Sequence, residues 1–256
     1  MVGLNSLNSG GKGFIFHPSL PIFYEDNHLL ALYKPAGLLT QADSSEKPNL
    51  LDLAKKWIKI TYNKPGNVFL GLVHRLDKFA SGIILFAKTS KAAARLTEQF
   101  KTRLVDKTYL VVVEGLITKN SGILIHHVKP GRLKTTVLNS EQEGAQKAEL
   151  WYEVLDRSRK LKRTLLKVKL VTGRKHQIRA QFSFIGHPVL GDLLYGSRVN
   201  LPGKAIALFA HQLSFIHPTK KIPVNLSSPL PASWPWDRKI LKDENLLWLW
   251  EDIKIL

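Results

Sequence analysis

The segment VFLGLVHRLDKFASGIILFAKTSKAAARLTEQFKTR, residues 68–103, combines two apolar runs, a polar interruption and a helical pattern. Residues 68–75 and 82–88 are short apolar runs of the kind that form buried β-strands. Residues 89–103 place apolar side chains at helical spacing behind a Thr or Ser that can cap a helix. Between the two strands, LDKFAS (76–81) brings in polar side chains where the apolar pattern would otherwise continue. The segment therefore predicts a strand, a polar loop, a second strand and a helix.

Strands are predicted over most of the remaining chain. Residues 22–37 indicate a pair of strands and a turn, and residues 49–62 a helix capped by Asn49. Residues 176–186 have the pattern of another helix. Further strands are predicted at 107–115, 122–128, 148–156, 164–172 and 205–218. Many strands, few helices and no βαβ alternation predict an α+β fold, with a mostly antiparallel, mixed β-sheet core flanked by helices.

The sequence suggests three parts along the chain. Residues 1–20 are rich in Gly, Asn and Ser, and we expect a flexible N-terminal tail there. Residues 21–235 contain the strand pattern and form the main domain. Residues 236–256 end in DENLLWLWEDIKIL (243–256), which predicts a C-terminal helical extension packed on that domain.

The charge balance indicates a polyanionic partner. The chain has 38 Lys and Arg against 20 Asp and Glu, a formal net charge of +18 over 256 residues. Residues 156–179 contain ten Lys or Arg and one carboxylate, Asp156. A basic face on strands and loops is typical of proteins that contact a phosphate backbone. Nucleic acid is therefore favoured over an acidic protein, and over a membrane, for which a Lys-rich amphipathic helix would be expected.

Several classes of function are excluded by what the sequence lacks. There is no cysteine, so disulfides, thiolate metal sites and a cysteine nucleophile are ruled out. No apolar run is long enough to span a bilayer, and no signal peptide is recognisable, so we expect a cytoplasmic protein and no membrane partner. The HExxH, GxxxxGK[ST], GxGxxG and GxSxG patterns are absent as well.

Asp77 is the first candidate for chemistry. It lies between Arg75 and Lys78 in the loop of the opening segment, and these neighbours favour its ionised form. An ionised carboxylate in a basic surrounding can act as a nucleophile or as a base. A structural ion pair in a turn fits the same residues equally well.

Three further segments carry polar or aromatic residues at unusual places. TGRKHQIRAQ (172–181) gathers basic residues at the start of a predicted helix, where the helix dipole favours anions over cations, and so indicates an anion site. KTYLVVVEG (107–115) holds Tyr109 among valines, as a core aromatic would be. GHPVLGDLLYG (186–196) is rich in turn-forming residues and is typical of a structured loop. Together these segments suggest a cofactor-free carboxylate site in a basic groove.

In this order, the segments resemble the RluA-type family of RNA pseudouridine synthases. HRLDKFASGIILFAK is similar to the catalytic block of the family, KTYLVVVEG to its Lys-x-Tyr strand and LVTGRKHQIRAQFSFIGHPVLGDLLYG to its third block. YKPAG near the start and ALFAHQLSFIHP near the end match too, so that the resemblance runs from about Ile22 to Pro218. Departures occur at Ala80, Lys175 and Phe209, where Thr, Thr and His are usual.

The resemblance implies a fold, an activity and a set of site residues. The main domain would be a pseudouridine synthase catalytic domain that converts uridine to pseudouridine in structured RNA, with no metal, organic cofactor or nucleotide cofactor. Asp77 matches the aspartate that attacks the flipped uridine, Tyr109 the tyrosine that stacks on the base, and Arg179 the arginine that pairs with the aspartate. Arg75 matches the arginine that helps to open the RNA. The RNA-binding residues expected from these segments are His74, Arg75, Lys107, Lys129, Arg132, Lys134, Arg174, Lys175 and His176, and the basic run 157–169 is expected to follow phosphates.

The sequence leaves the target RNA and three rival functions open, of which a basic structural ribosomal protein is the least favoured. On family precedent, large-subunit ribosomal RNA is the first choice of substrate, transfer RNA the second, and a monomer the expected state. One rival is a non-catalytic RNA-binding or ribosome-assembly factor that retains the fold. Another is a uracil-directed hydrolase in which Asp77 activates water.

Overall fold

The computed structural model of the chain describes residues 15–17, 20–44, 47–231 and 233–236. The predicted tail at 1–20 and the predicted extension at 236–256 lie almost wholly outside these residues. The described helices are α1 Leu50–Thr61, α2 Ser90–Lys101 and α3 Gln177–Phe184. The described strands are β1 Ile15–His17, β2 Leu20–Glu25, β3 Leu29–Lys34, β4 Gly71–Leu72, β5 Ser81–Ala87, β6 Asp106–Glu114, β7 Ser121–Pro130, β8 Thr135–Leu138, β9 Gln146–Ser158, β10 Arg163–Leu170, β11 Leu208–Ile216 and β12 Pro223–Ser227.

The chain forms two compact units. The first takes in the residues up to Val105 together with Gln212–Ser228, and the second takes in Asp106–His211 and the described residues from Pro229 onward. In the first unit, β1, β2, β3 and β5 are antiparallel neighbours in that order, β4 pairs with β5, and β11 pairs with β12. In the second unit the order is β6, β10, β9, β7 and β8, again antiparallel throughout.

The core of the first unit lies between its central strands and its two helices. All residues of β3 and β5 are buried, as expected for strands covered on both faces. Helix α1 buries Leu50, Ala54 and Ile58, which share one face because they are four residues apart. Its predicted cap is confirmed, since the Asn49 side chain accepts a hydrogen bond from the Asp52 amide.

The core of the second unit lies between the sheet and α3. The centre of β6, Thr108–Val113, is buried, and α3 buries every residue from Gln177 to Phe182. A helix buried on all sides must pair its polar side chains internally, because an unpaired buried polar group is costly. The buried polar residues of α3 are therefore candidates for a functional site.

The predicted fold class is confirmed: a sheet-dominated α+β structure. The strand predicted at 68–75 is wrong in extent, because only Gly71–Leu72 pairs as β4. Beyond β4 the chain leaves the sheet, since the backbone of Leu76 bonds to the side chain of Thr40 instead of to a strand. The short strands β1, β8 and β12 were not predicted, and β1 lies within the segment expected to be a flexible tail. None of the helices in the described part of the chain could span a lipid bilayer.

Candidate active site

Asp77 lies in the loop between β4 and β5, in the first unit. Its side chain is half-buried, and the neighbouring Arg75 is exposed. The Ala80 amide donates to the Asp77 carbonyl at 3.2 Å, which closes the loop into a turn before β5 begins. The sequence-predicted carboxylate therefore lies in an ordered turn with access to solvent.

The segment Lys34–Thr40, which follows β3, holds this loop on both sides of Asp77. On the preceding side, the Thr40 hydroxyl donates to the Leu76 carbonyl at 2.9 Å and accepts from the Leu76 amide at 3.3 Å. On the following side, the Lys78 carbonyl accepts from the Gly37 amide at 2.8 Å and from the Lys34 amine at 3.1 Å. We call this segment the cradle. Its bonds fix the backbone of the two residues that flank the candidate nucleophile.

Lys34 is the most unusual member of the cradle, because its side chain has no exposed surface. Its amine also donates to the carbonyls of Pro35 and Leu38, at 2.8 and 2.9 Å. Burial lowers the pKa of this amine from 10.5 to about 7, and the nearby charge of Asp77 acts in the opposite direction. In the folded chain the amine is therefore hydrogen-bonded to three carbonyl oxygens instead of to water.

His74, which was predicted to bind RNA, makes contacts within the protein that stabilise the fold. Its Nε2 accepts a hydrogen bond from the Leu85 amide at 2.9 Å, and its ring stacks on Phe100 with the centroids 4.9 Å apart. These contacts attach the start of the Asp77 loop to β5 and α2. An RNA contact by His74 stays a prediction.

Tyr109 and Arg179 belong to the second unit. Tyr109 lies on β6 opposite Val168 of β10, and 9% of its surface is exposed. Arg179 lies on α3 with 3% exposed. Its polar neighbour on the helix, Gln177, accepts from the Arg174 amide and the Thr172 hydroxyl and donates to the Glu149 carbonyl. The helix that carries Arg179 is therefore held by buried hydrogen bonds.

Arg179 makes a buried ion pair with a residue that sequence reasoning missed. Its Nε donates to Asp192 Oδ2 at 2.6 Å and its Nη2 to Asp192 Oδ1 at 2.8 Å, a two-pronged contact with a carboxylate that is 1% exposed. The guanidinium carbon also lies 4.8 Å from the centre of the Tyr195 ring. Both partners come from Gly191–Gly196, which we call the bracket turn. The only signal in the sequence was an acidic and an aromatic residue between two glycines.

Lys107, one of the residues expected to contact RNA, lies half-buried on β6. Apart from His74 and Arg75, the other basic residues of that set fall into two groups. Lys129, Arg132 and Lys134 are exposed on the β7–β8 hairpin, which is free of carboxylates from Lys129 to Leu138. The residues before α3 have partners within the protein: Lys175 donates to the carbonyls of Gly131 and Arg132 at the tip of this hairpin, Arg174 to the carbonyl of Lys147, and His176 lies 3.1 Å from the Tyr195 hydroxyl.

Phosphate contacts were also expected from the basic run 157–169 and from the start of α3. The Arg157 guanidinium donates to the carbonyls of Ile117, Thr118 and Lys119 and to the side chain of Asn120, and so holds the turn before β7. An anion site was expected at the start of α3. The residue that precedes this helix is His176, whose backbone is in the left-handed conformation with φ of 52°. Phosphate contacts at both places stay predictions.

Comparison with known proteins identifies the class. The family model "RNA pseudouridylate synthase" matches residues 28–184. An uncharacterised RNA pseudouridine synthase of Aquifex aeolicus (strain VF5) is 38% identical over 208 residues, which cover 78% of this chain and 66% of that protein. Ribosomal large subunit pseudouridine synthase D of Pseudomonas aeruginosa is 34% identical over 241 residues, 88% of this chain and 72% of that protein. The chain thus spans about two thirds of the length of these relatives.

A solved structure agrees at the level of the fold. Human RNA pseudouridylate synthase domain containing 4 superposes with a TM-score of 0.70 at 24% identity, covering 83% of this chain and 89% of that one. At this identity the likeness shows the fold, and the family model and the curated relatives supply the class. This chain belongs to the RNA pseudouridylate synthase family.

Proposed function

We propose that this chain converts uridine to pseudouridine in structured RNA, with Asp77 as the attacking carboxylate and without a cofactor. The observation that carries the proposal is the cradle: four hydrogen bonds hold Leu76 and Lys78 on either side of a half-buried carboxylate. An enzyme gains rate when its reacting group is held in place before the substrate arrives. Membership of a family of isomerases supplies the reaction class.

The reaction itself is an isomerisation that needs no co-reactant. The bond between the sugar and a ring nitrogen breaks, the base rotates, and a bond from the sugar to a ring carbon forms. That carbon releases its hydrogen and the nitrogen gains one. Asp77 can attack the anomeric carbon, add to the uracil ring, or remove a sugar proton to give a glycal. All three routes require an ionised carboxylate next to the flipped nucleoside.

The remaining site residues support that step. We propose that Tyr109 stacks on the base, that Arg179 pairs with the Asp77 carboxylate and that Arg75, exposed beside Asp77, enters the space left in the RNA. Flipping a base out of a helix costs a few kcal/mol and delivers it to a closed pocket that retains the cut uracil. This retention would distinguish an isomerase from a hydrolase.

For the substrate we propose large-subunit ribosomal RNA, with transfer RNA as the second candidate. The support is the relative named ribosomal large subunit pseudouridine synthase D, similar over 88% of this chain. Exposed basic residues on the β7–β8 hairpin are suited to a phosphate backbone. We further propose a monomer that acts in the cytoplasm.

The decisive experiment measures tritium release from RNA labelled at carbon 5 of uridine. Ribosomal RNA and transfer RNA transcripts are incubated with the wild-type chain, with Asp77→Asn and with a matched control, Glu98→Gln, which makes the same change on the exposed face of α2. We expect release by the wild type and the control, and none by Asp77→Asn. Binding of the RNA, measured by filter retention, should be preserved in all three.

Other outcomes would favour the rival functions. Release of free uracil by the wild type would show a hydrolase. RNA binding with no change in the RNA would favour a non-catalytic assembly factor, and turnover by Asp77→Asn would refute the assignment of that residue. Mapping pseudouridines in total RNA of a deletion strain then identifies the uridine, because one site should lose its modification.

A further inference from the structure

The bracket turn contacts Arg179 from two directions. Asp192 bonds the edge of the guanidinium through both of its oxygens, and the Tyr195 ring lies 4.8 Å from the guanidinium carbon. A carboxylate at the edge fixes the plane of the group, and an aromatic ring against it restricts how far that plane can tilt. All three side chains are at least 90% buried, so water does not replace these contacts.

Local geometry explains why one short turn supplies both contacts. Leu193–Tyr195 form a 3₁₀ turn with Asp192 as the preceding residue, and the Tyr195 amide donates to the Asp192 carbonyl at 3.0 Å. In 3₁₀ structure, residues three apart lie on the same side. Asp192 and Tyr195 therefore point the same way, and Leu193 and Leu194, which are exposed, point elsewhere.

The start of the turn depends on a glycine. Gly191 has φ of +87°, and a Cβ there would lie 2.5 Å from the Ala205 carbonyl oxygen. Its amide donates to the Ser197 hydroxyl at 2.9 Å, while the Ser197 amide donates to the Asp192 carbonyl at 3.0 Å. These contacts hold the turn in one conformation. The backbone of Asp192 is therefore fixed, and its carboxylate cannot move along with the Arg179 guanidinium.

Tyr195 is held at its far end as well. Its hydroxyl accepts from the Thr135 amide at 2.7 Å and lies 3.1 Å from His176 Nδ1. The Ser183 hydroxyl, on α3, donates to the Tyr195 carbonyl at 2.6 Å. Burial raises the pKa of the Tyr195 hydroxyl, which keeps it protonated and able to donate. The ring is therefore fixed relative to both α3 and the start of β8.

We propose that Asp192 and Tyr195 are positioning residues for the reaction: they hold the Arg179 guanidinium in the one orientation in which it can serve the reacting carboxylate. This inference rests on the proposed function, which gives Arg179 its partner. The two residues touch neither the RNA nor Asp77 in this scheme and act through Arg179 alone. Their loss should therefore lower the rate of conversion and leave the affinity for RNA nearly unchanged.

The kinetic test separates kcat from KM. In Asp192→Asn the size is kept and the charge is lost, and we expect kcat to fall about 100-fold, since a small misplacement of a catalytic group has effects of that size. KM for the RNA should change less than about threefold. Asp192→Glu restores the charge and should recover much of the rate. Tyr195→Phe keeps the ring and loses the hydroxyl anchor, and its kcat should lie between those of the wild type and Asp192→Asn.

A second readout reports on Arg179 without any activity. The Nε–H group of an arginine bonded inside a protein exchanges slowly and gives its own NMR signal, which is assigned by its loss in Arg179→Lys. We expect this signal to shift or broaden in Asp192→Asn and to stay in place in Leu194→Ala, the matched control on the outer side of the same turn. Thermal melting confirms that each variant is folded.

The outcomes are distinct. An unchanged kcat in folded Asp192→Asn, or an unmoved Arg179 signal in that variant, would overturn the inference, and so would a loss confined to KM. If the wild type modifies no RNA at all, the proposed function fails by itself. The NMR signal then decides whether Asp192 and Tyr195 orient Arg179.

Discussion

At the scale of single residues, the buried Lys34 is the side chain that ties the end of β3 to the loop of the candidate nucleophile Asp77. It ends a strand whose other residues are aliphatic or aromatic, and its amine donates to the backbone carbonyls of Pro35, Leu38 and Lys78. A buried amine whose hydrogen-bond partners are neutral carbonyl oxygens is costly to keep charged. Its burial therefore makes the stability of the first unit depend on pH.

Replacing Lys34 by Met should remove that dependence. Between pH 7 and 9.5 the unfolded chain keeps a proton on this lysine, whose ordinary pKa is 10.5, and the folded chain loses it above a pKa of about 7. The unfolded state thus binds more protons, so the free energy of unfolding rises with pH, by at most about 1.4 kcal/mol per pH unit. Urea unfolding at several pH values should show this rise in the wild type and not in Lys34→Met.

The control for this experiment is Lys56→Met, an exposed lysine on α1. It should follow the wild-type curve. The range stops at pH 9.5 because burial raises the pKa of Tyr33 from 10.0 to about 12, which acts in the opposite sense above pH 10. Parallel curves for the wild type and Lys34→Met would contradict the role given to burial.

At the scale of elements, the β7–β8 hairpin is the clearest candidate for RNA contact. Its register pairs Lys129 with Thr136, and its tip is closed by the Gly131 amide donating to the Lys134 carbonyl at 2.9 Å. Lys175 donates to two carbonyls of the tip and so adds a fixed support from the residues before α3. The exposed basic side chains are therefore presented on an ordered element.

Changing Lys129, Arg132 and Lys134 together to Gln should weaken RNA binding in a salt-dependent way. Each phosphate contact contributes about 0.7–0.9 to the slope of log affinity against log salt concentration, so the slope should fall by about two to three. KM should rise, and kcat at saturating RNA should stay near the wild-type value. Fluorescence anisotropy at several salt concentrations measures the slope.

A triple variant of exposed lysines elsewhere, Lys56, Lys59 and Lys91 to Gln, removes the same charge from α1 and α2. If this control changes the slope as much as the hairpin variant does, the hairpin has no special part in binding. An unchanged slope in the hairpin variant would lead to the same conclusion.

At the scale of the whole molecule, the net charge of +18 acts on any phosphate backbone. We expect single-stranded RNA and DNA of equal length to bind with similar non-specific affinity at low salt, because backbone contacts carry no sequence information. Only the RNA should be converted, since the thymine of DNA carries a methyl group on the carbon at which the new bond forms. Competition binding together with product mapping tests both parts, and a preference for RNA of more than tenfold in non-specific binding would contradict the first.

Much of this protein could be predicted from the sequence, because much of it depends on local pattern. Strands β3, β5, β6 and β10 follow from runs of apolar residues, and the Asn49 and Thr89 caps follow from residue type and position. Asp77, Tyr109 and Arg179 are proposed as site residues from interruptions of those runs and from the family resemblance. Such signals lie within a few residues of each other, so a linear reading finds them.

Only the tertiary structure determined which polar residues form hydrogen bonds and ion pairs with each other. Lys34 and Thr40 meet the Asp77 loop across about forty residues of chain, and Asp192 meets Arg179 across a turn that looked like an ordinary loop. The strand predicted at 68–75 pairs only over Gly71–Leu72, and the chain then enters a loop whose Leu76 backbone bonds to the Thr40 side chain. A buried polar group takes whichever partner the packed chain brings within about 3 Å, and that partner depends on distance in space, which residue order alone does not contain.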